Sequence, residues 1–359
     1  MKLKKLIGFV LVLALLSSLA ACAAPSATPS EPEATPAAAE ATPAPEATAE
    51  ASVEATEYPI TIKHAFGETV LTEKPERIAT IFWGNHDVPL ALGVVPVGVS
   101  MANYGVTDGS GMLPWTAEGF KALGVEHPVL FSDTDGLDYE AINEVQPDVI
   151  LAAYSGITQE EYELLSQIAP VVAYPTFAWQ TYWRDQITMD AAGMGMQKEG
   201  EQLVAELDQL IAEKLSAYPQ IAGKSAAFFY FMPADLGKFY VYLPTDPRAA
   251  FLEDLGMKVP ESILKMAESS ESFSAELSAE NVDLLKDVDI VIGYGDDALL
   301  KALQADSLMG TMPAIKRGSV VLLEDGTPLA ASSTPSALSI PAAIDEYLAL
   351  IGKAADQVG

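Results

Sequence analysis

The most regular hydrophobic pattern of the chain lies in residues 198–218. Apolar residues recur there at steps of three and four, and most of the Glu and Asp side chains fall on the opposite side. This spacing predicts one amphipathic helix, about 30 Å long at about 1.5 Å per residue. Pro219 follows directly and predicts where the helix ends. The apolar positions are Leu203, Leu207, Leu210, Ile211, Leu215 and Tyr218.

Segments with the patterns of strands and helices alternate on both sides of this helix. Alternation of this kind predicts parallel sheets with helices packed on them. We therefore expect an α/β fold with two parallel-sheet, Rossmann-like lobes, residues 58–195 and 219–359, joined by one long rigid α-helix in residues 196–218. The predicted strands are 58–64, 76–83, 96–100, 149–153, 171–174, 225–232, 238–243, 288–294 and 319–323; the predicted helices are 88–92, 138–145, 158–168, 248–255, 279–286 and 340–352.

The first 21 residues have the pattern of a secretory signal peptide. Lys residues precede an apolar run, residues 6–16, and small residues follow it. The run approaches the length of a membrane span, but its small-residue end and the Cys22 directly after it favour a cleaved signal. Residues 19–22, Leu-Ala-Ala-Cys, resemble the lipobox of bacterial lipoproteins, which implies that Cys22 carries the lipid anchor.

Residues 22–57 consist mainly of Ala, Pro, Thr, Ser and Glu. Such a segment has too little apolar surface to offset the entropy of ordering, so we expect a disordered tether. The formal charge of the chain is −30, and because residues 1–57 hold three Lys and seven Glu, −26 of it belongs to the remainder. This charge excludes nucleic acid as an expected partner. With Cys22 as the single Cys, no disulfide can form within the chain.

Six segments occur in an order that resembles the iron-siderophore and cobalamin class of ABC-transporter solute-binding proteins. They are residues 77–81 (RIATI), 90–100 (LALGVVPVGVS), the segment around Glu140, 165–172 (LSQIAPVV), the long helix and the segment around Glu280. The resemblance covers residues 58–359, with the family's binding domain expected in residues 76–359. It implies a ligand held between two lobes, a rigid connecting helix, and delivery to an ABC permease and its ATPase.

The same resemblance implies that one Glu on each lobe docks onto the permease, at Glu140 and Glu280. The alternative is that each carboxylate only complements the dipole of the helix that it begins. Both residues follow a short polar residue, Asp138 or Ser278, at equivalent places in two similar segments. That pairing favours docking.

Ligands of parallel sheets bind beyond the carboxyl ends of the strands, so side chains in the loops that follow the strands are the candidates. Aromatic rings suit a flat or chelated organic ligand, and Arg suits its anionic oxygens, although core packing is an alternative for each aromatic residue and Arg184 can also pair with Asp185. The expected ligand-binding residues are Trp83, His86, Tyr104, Tyr154, Trp183, Arg184, Tyr242, Arg248 and Tyr294.

The chain contains only four Arg, which disfavours a strongly anionic catecholate complex and favours a neutral or weakly charged ferric siderophore. Haem or cobalamin remains an alternative, with an axial ligand from His86 or a Tyr. A receptor that ligates zinc or manganese directly is disfavoured, because His64 and His127 lie in an outer strand and a loop and only His86 is well placed. We expect no resident metal or cofactor.

Residues 293–298 match G-x-G-x-x-A after a strand, as in dinucleotide sites. However, they lie late in the second lobe, and no acidic residue ends a strand about twenty positions further on. No nucleophile-elbow or zinc-protease motif is present either, so we expect no enzyme. A surface adhesin remains an alternative. The sequence therefore predicts a monomeric lipoprotein on the outer face of the cytoplasmic membrane that captures a ferric siderophore for an ABC importer.

Overall fold

The structure is a computed structural model that describes residues 56–133 and 136–358. The predicted signal peptide, Cys22 and all but the last two residues of the predicted tether lie outside these ranges. The first described residue, Thr56, donates a hydrogen bond of 3.1 Å from Oγ1 to the carbonyl of Gly195. The end of the predicted tether therefore already contacts the folded body.

The first lobe is built on a five-stranded, fully parallel sheet with the order β5-β4-β3-β6-β7. A two-stranded antiparallel hairpin, β1 and β2, precedes it. The strands are β1 (Ile60–His64), β2 (Gly67–Leu71), β3 (Ile78–Thr80), β4 (Gly98–Ser100), β5 (Leu130–Phe131), β6 (Val149–Ala152) and β7 (Val171–Ala173); the helices are α1 (Asp87–Ala91), α2 (Pro114–Ala122), α3 (Tyr139–Glu144), α4 (Gln159–Leu165) and α5 (Trp183–Gly193).

The long helix predicted from the hydrophobic pattern is present as α6 (Gln197–Leu215), between the two sheets in the chain. Leu207 and Ile211 are buried, and Leu203 and Leu210 pack against the same core. The helix ends three residues before Tyr218, because the Tyr218 amide bonds to the carbonyl of Leu215 in a tighter turn. The predicted apolar face is therefore confirmed.

The second sheet has the order β10-β9-β8-β11-β12 and is mixed rather than fully parallel. Strands β8, β11 and β12 are parallel, whereas β9 is antiparallel to both of its neighbours. The turn from β8 to β9, residues 232–237, is too short for a parallel crossover. The strands are β8 (Ala226–Phe231), β9 (Lys238–Tyr242), β10 (Ser274–Ser278), β11 (Ile290–Tyr294) and β12 (Val320–Leu323).

Helices cover both faces of this second sheet, and the last of them packs along α6. Ile344 and Leu348 of this last helix share one apolar core with Ile211 of α6 and with Phe228 of β8. Burial of this apolar surface contributes about 25 cal/mol of stabilising free energy per Å². The shared core therefore holds the two halves of the molecule together. The helices are α7 (Pro247–Asp254), α8 (Glu261–Ala267), α9 (Asp297–Ala305), α10 (Pro313–Arg317), α11 (Pro328–Ser332) and α12 (Ser339–Ala355), with 3₁₀ helices at Ala279–Leu285 and Met309–Thr311.

The predicted helix caps are present in both lobes. The Asp138 carboxylate accepts a hydrogen bond from the Ala141 amide, and the Ser278 hydroxyl accepts one from the Glu280 amide. Each cap satisfies an amide that has no partner within its own helix. The α/β fold with two sheets and one long helix between them is therefore confirmed.

Candidate functional site

A cavity of about 530 Å³ lies between the two sheets, at the carboxyl ends of their strands. This volume is typical of sites for small organic ligands. Loops that follow β3, β4, β5, β6, β7 and β12 contribute to its wall, and β11 contributes its last residue, Tyr294. The lining residues are Phe82, Trp83, Gly84, His86, Asp87, Met101, Ala102, Asn103, Tyr104, Leu113, Trp115, Asp133, Tyr154, Trp179, Tyr230, Tyr242, Arg248, Phe273, Tyr294, Asp325, Ala330, Ala331, Thr334 and Ser336.

The cavity brings together seven of the nine side chains that the sequence indicated. Four come from the first lobe and three from the second, so both lobes present aromatic and polar groups to the same space. The seven are Trp83, His86, Tyr104, Tyr154, Tyr242, Arg248 and Tyr294.

Trp183 and Arg184 do not line this cavity, contrary to expectation. Trp183 is buried at the start of α5, and its indole N–H donates to Oδ2 of Asp254 at 2.8 Å. The Arg184 guanidinium donates to Asp208 of α6 and to Asp254 of α7, and it stacks 4.2 Å from the Trp183 ring. Trp183 therefore links α5 to α7, and Arg184 links α5 to both α6 and α7. Asp185, the partner weighed from the sequence, is not the one that Arg184 uses.

Several aromatic residues in the wall were not among the expected ligand-binding residues. The rings of Phe82 and Trp179 meet edge to face, with centroids 5.7 Å apart, and Tyr154 meets Trp179 in the same way at 5.5 Å. Trp115 and Tyr230 also line the space. Trp179 lies in the loop after β7, so position after a strand was its sequence signal. Phe82 lies within the predicted strand 76–83, and it follows a strand only because β3 ends earlier, at Thr80.

The fixed cation of the cavity, Arg248, is already paired with a carboxylate. Its Nε and Nη2 donate to the two oxygens of Asp246 at 2.8 and 2.6 Å, and Asp246 is fully buried. The guanidinium also lies 4.0 Å from the centre of the Tyr242 ring. Burial raises the pKa of Tyr242 to about 12, so its phenol is neutral at ordinary pH. Arg248 can direct a hydrogen bond at a ligand, but its charge is largely compensated.

A buried carboxylate, Asp87, is among the residues that line the cavity. It accepts hydrogen bonds from Trp115 Nε1 and Thr116 Oγ1, both at 3.1 Å, and from the Ser336 hydroxyl near the end of the chain. His86 Nε2 lies 3.5 Å from Asp87 Oδ1. Burial raises the pKa of Asp87 and lowers the pKa of His86. Asp87 thus ties the segment around Ser336 to the first lobe.

Tyr104 makes a second hydrogen-bonded link across the cavity. Its hydroxyl donates to Asp325 Oδ1 at 2.6 Å and accepts from the Gly326 amide at 3.1 Å. Burial and the hydrogen bond to Asp325 both raise the pKa of Tyr104. Its ring also meets that of Tyr294 edge to face, with centroids 6.2 Å apart. Tyr104 therefore contacts the second lobe as well as the cavity.

Within residues 56–133 and 136–358, no group of three or more His, Cys, Asp or Glu is arranged to hold a metal ion. His64 lies outside the cavity wall, where its Nε2 is 3.0 Å from Thr69 Oγ1. The described part of the chain also contains no helix of the length and hydrophobicity that a membrane crossing needs.

The two candidate docking residues, Glu140 and Glu280, are exposed. Each lies in the first turn of its helix, Glu140 in α3 and Glu280 in the 3₁₀ helix Ala279–Leu285. Neither side chain takes part in the wall of the cavity. Their role in docking stays a prediction.

Two lobes around a cavity lined by aromatic and polar side chains are the architecture of a solute-binding protein. Comparison with known proteins gives the same class. The chain belongs to the periplasmic binding protein family, whose model matches residues 78–326. Among solved structures it is similar to PiaA of Streptococcus pneumoniae TIGR4 in complex with ferrichrome. The two are 51% identical with a TM-score of 0.81, over 84% of this chain and 100% of that one.

Two curated bacterial proteins are more distant relatives. The Fe(3+) dicitrate-binding periplasmic protein FecB of Escherichia coli is 24% identical over 289 residues, which cover 75% of this chain and 86% of FecB. The putative ABC transporter substrate-binding lipoprotein YhfQ of Bacillus subtilis is 24% identical over 180 residues. That match covers 48% of this chain and spans only about half of YhfQ, 52% of its length.

Proposed function

We propose that this protein captures a ferric siderophore between its lobes and delivers it to an ABC permease and its ATPase, with no chemical conversion of the ligand. The observation that carries this proposal is the cavity of about 530 Å³, lined by aromatic rings from both lobes. Aromatic faces offer large rigid contact areas for a compact chelate. The similarity to PiaA, whose structure contains ferrichrome, supports this ligand class.

The charges around the cavity favour a neutral ferric hydroxamate over a ferric catecholate. Three hydroxamate groups balance the charge of Fe³⁺, whereas three catecholate groups leave the complex strongly anionic. Among the described lining residues, only Arg248 carries a permanent positive charge, and the Asp246 carboxylate neutralises that charge. Asp133 and Asp325 add carboxylates to the wall. An anionic complex would meet repulsion without a free cation to offset it.

Delivery rests on the two exposed carboxylates outside the cavity. Glu140 and Glu280 occupy equivalent positions on the two lobes, so a permease with two basic pockets can hold both lobes at once. We propose that these contacts are separate from ligand binding, since neither residue lines the cavity.

The location of the protein is proposed from the start of the chain. Cys22, after a signal peptide in residues 1–21, would carry the lipid, and residues 22–57 would form the tether. Such a monomer would be held on the outer face of the cytoplasmic membrane by lipid alone. The description of YhfQ as a lipoprotein supports this assignment.

Tryptophan fluorescence of a soluble protein that starts at Tyr58 tests the ligand class. The titrants are ferrichrome, a ferric tris-catecholate, haem, cobalamin and free divalent zinc or manganese. Saturable quenching by ferrichrome at submicromolar concentration supports the proposal, because Trp83, Trp115 and Trp179 line the cavity. Quenching by haem or cobalamin alone would replace the ligand, and quenching by free metal alone would indicate a direct metal receptor. No response to any titrant would favour an adhesin.

A further inference from the structure

Trp179 is the centre of an aromatic wall on the first lobe. Phe82 meets its ring at an interplanar angle of 89°, and Tyr154 meets it at 77°. All three side chains line the cavity. Edge-to-face contacts of this kind support the indole on two sides, while the indole still lines the cavity.

The backbone that presents this wall is in an unusual conformation. Phe82 has φ +60° and Trp179 has φ +62°, in the left-handed region that bulky residues rarely adopt. Hydrogen bonds hold both residues there. The Phe82 amide donates to Ser100 Oγ at 2.8 Å, and the Trp179 amide donates to the carbonyl of Ser155 at 3.0 Å. Contacts within the protein therefore hold the backbone at both rings.

Gly156 lies directly against the Trp179 indole. A Cβ atom at this position would come within 2.6 Å of Trp179 Cζ2, and closer still to Nε1 and Cε2. Gly156 is not among the glycines with positive φ, so its backbone does not require glycine. What requires it is the space that the ring occupies. Because the clash is with the rigid indole itself, any added side chain must displace the ring.

We propose that Gly156 is a positioning residue of the ligand site and acts through Trp179. Its missing side chain lets the indole lie against the backbone that follows β6, next to Tyr154. Trp179 lines the cavity, whereas Gly156 is not among its lining residues, so Gly156 would act on a ligand only through the indole. This inference rests on the proposed function, since it names a residue that shapes the same cavity.

Isothermal titration calorimetry with ferrichrome, on the full-length protein, tests the coupling. The variants are Gly156→Ala, Trp179→Ala and the double variant. We expect Gly156→Ala to weaken binding by about tenfold and Trp179→Ala by about tenfold to a hundredfold. Adding Gly156→Ala to Trp179→Ala should cost nothing more, because the ring that the methyl group would strike is gone.

Gly237→Ala is the matched control. Gly237 is exposed in the turn between β8 and β9, and a Cβ there would meet only the Asp235 carboxylate oxygen, at 3.0 Å. This variant should bind ferrichrome as the wild type does. The proposal would be overturned if Gly156→Ala lowered ferrichrome affinity equally in the wild type and in Trp179→Ala. It would also be overturned if Gly156→Ala did not lower the affinity at all. If Gly156→Ala fails to fold while the double variant folds and binds as Trp179→Ala does, the coupling is shown directly.

Near-ultraviolet circular dichroism without ligand separates this inference from the proposed function. Gly156→Ala should change the aromatic signal of the wild type but leave that of Trp179→Ala unchanged. If wild-type protein does not bind ferrichrome, the proposed ligand is wrong, and this spectral comparison still decides whether Gly156 positions the indole. An unchanged spectrum for Gly156→Ala would refute the placement whatever the ligand.

Discussion

The Tyr104 hydroxyl on the first lobe donates a hydrogen bond of 2.6 Å to the Asp325 carboxylate on the second. The Gly326 amide donates to the same hydroxyl, so one phenol joins the lobes at two points. Tyr104 and Asp325 both line the cavity, so this link between the lobes lies in its wall. We therefore expect the Tyr104 hydroxyl to affect how long a ligand stays bound.

Tyr104→Phe should keep the ring in the cavity wall and remove both hydrogen bonds across it. We expect ligand dissociation to become about threefold to tenfold faster, since a hydrogen bond to a charged group contributes about 1.5 kcal/mol and part of the link is solvent-exposed. Stopped-flow fluorescence with ferrichrome measures this rate. Tyr240→Phe is the control, because it removes a hydrogen bond of 2.7 Å to Glu276 on the exposed edge of the second sheet. Equal rates for the wild type and Tyr104→Phe would show that the link does not retain the ligand.

The double variant Glu140→Ala with Glu280→Ala should abolish uptake of ferrichrome and leave its affinity unchanged. Both carboxylates are exposed and lie outside the cavity, so we expect their loss to affect the proposed contact with the permease and not ligand binding. Iron uptake by cells and calorimetry on the purified protein give the two readouts. Glu144→Ala with Glu261→Ala is the matched control, and it removes two other exposed carboxylates from helices of the two lobes. Wild-type uptake by the first double variant would contradict the docking assignment.

Arg184→Met tests the placement of a residue that the sequence suggested for the ligand site. The guanidinium bonds to Asp208 and Asp254 and not to the cavity, so ferrichrome affinity should stay within about twofold of wild type. Because these ion pairs are partly exposed, unfolding free energy should fall by only about 1–2 kcal/mol in urea denaturation. Arg248→Lys, in the cavity wall, should instead weaken binding, as Lys cannot keep the forked contact with Asp246. A large affinity loss in Arg184→Met would return that residue to the ligand site.

Asp190→Asn should stabilise the protein, and more so as pH rises. Asp190 is fully buried on α5, and neither of its carboxylate oxygens has a hydrogen-bond partner in residues 56–133 and 136–358. Burial raises its pKa well above the ordinary 3.8, and the nearby Ala153 backbone offsets only part of this.

The direction of this pH dependence follows from proton binding. The folded state holds the Asp190 proton more tightly than the unfolded state, so the stability from that proton is complete below pH 3.8 and is lost as pH rises through the raised value. Asn does not titrate in this range. Urea denaturation between about pH 5 and about pH 9 should show the gain in Asp190→Asn growing with pH, to about 1–3 kcal/mol. A gain that shrinks with rising pH would contradict the assignment.

Much of the fold follows from patterns that are local in sequence. The three- and four-residue spacing of Leu203, Leu207 and Ile211 depends only on helix geometry, and it predicted α6 almost to its ends. The antiparallel direction of β9 was missed, because a strand pattern does not record the direction of its partner. Only the short turn after β8 gave that signal.

The candidate site was predictable to the extent that it follows strand ends. Tyr154 and Tyr294 were found because each directly follows or ends a buried strand. Arg184 was misplaced because its partners, Asp208 and Asp254, are far along the chain and meet it only after three helices pack. The proposed role of Gly156 could not be predicted from the sequence for the same reason, since no sequence pattern shows which ring lies against a glycine.

The most direct test of the central claim compares ferrichrome with a ferric tris-catecholate in equilibrium titrations of the same protein, at matched ionic strength. The aromatic cavity, in which Asp246 compensates Arg248, predicts saturable, submicromolar binding of the neutral hydroxamate. It predicts that the catecholate binds more weakly, by at least about a hundredfold. Tighter binding of the catecholate, or no binding of either complex, would contradict it.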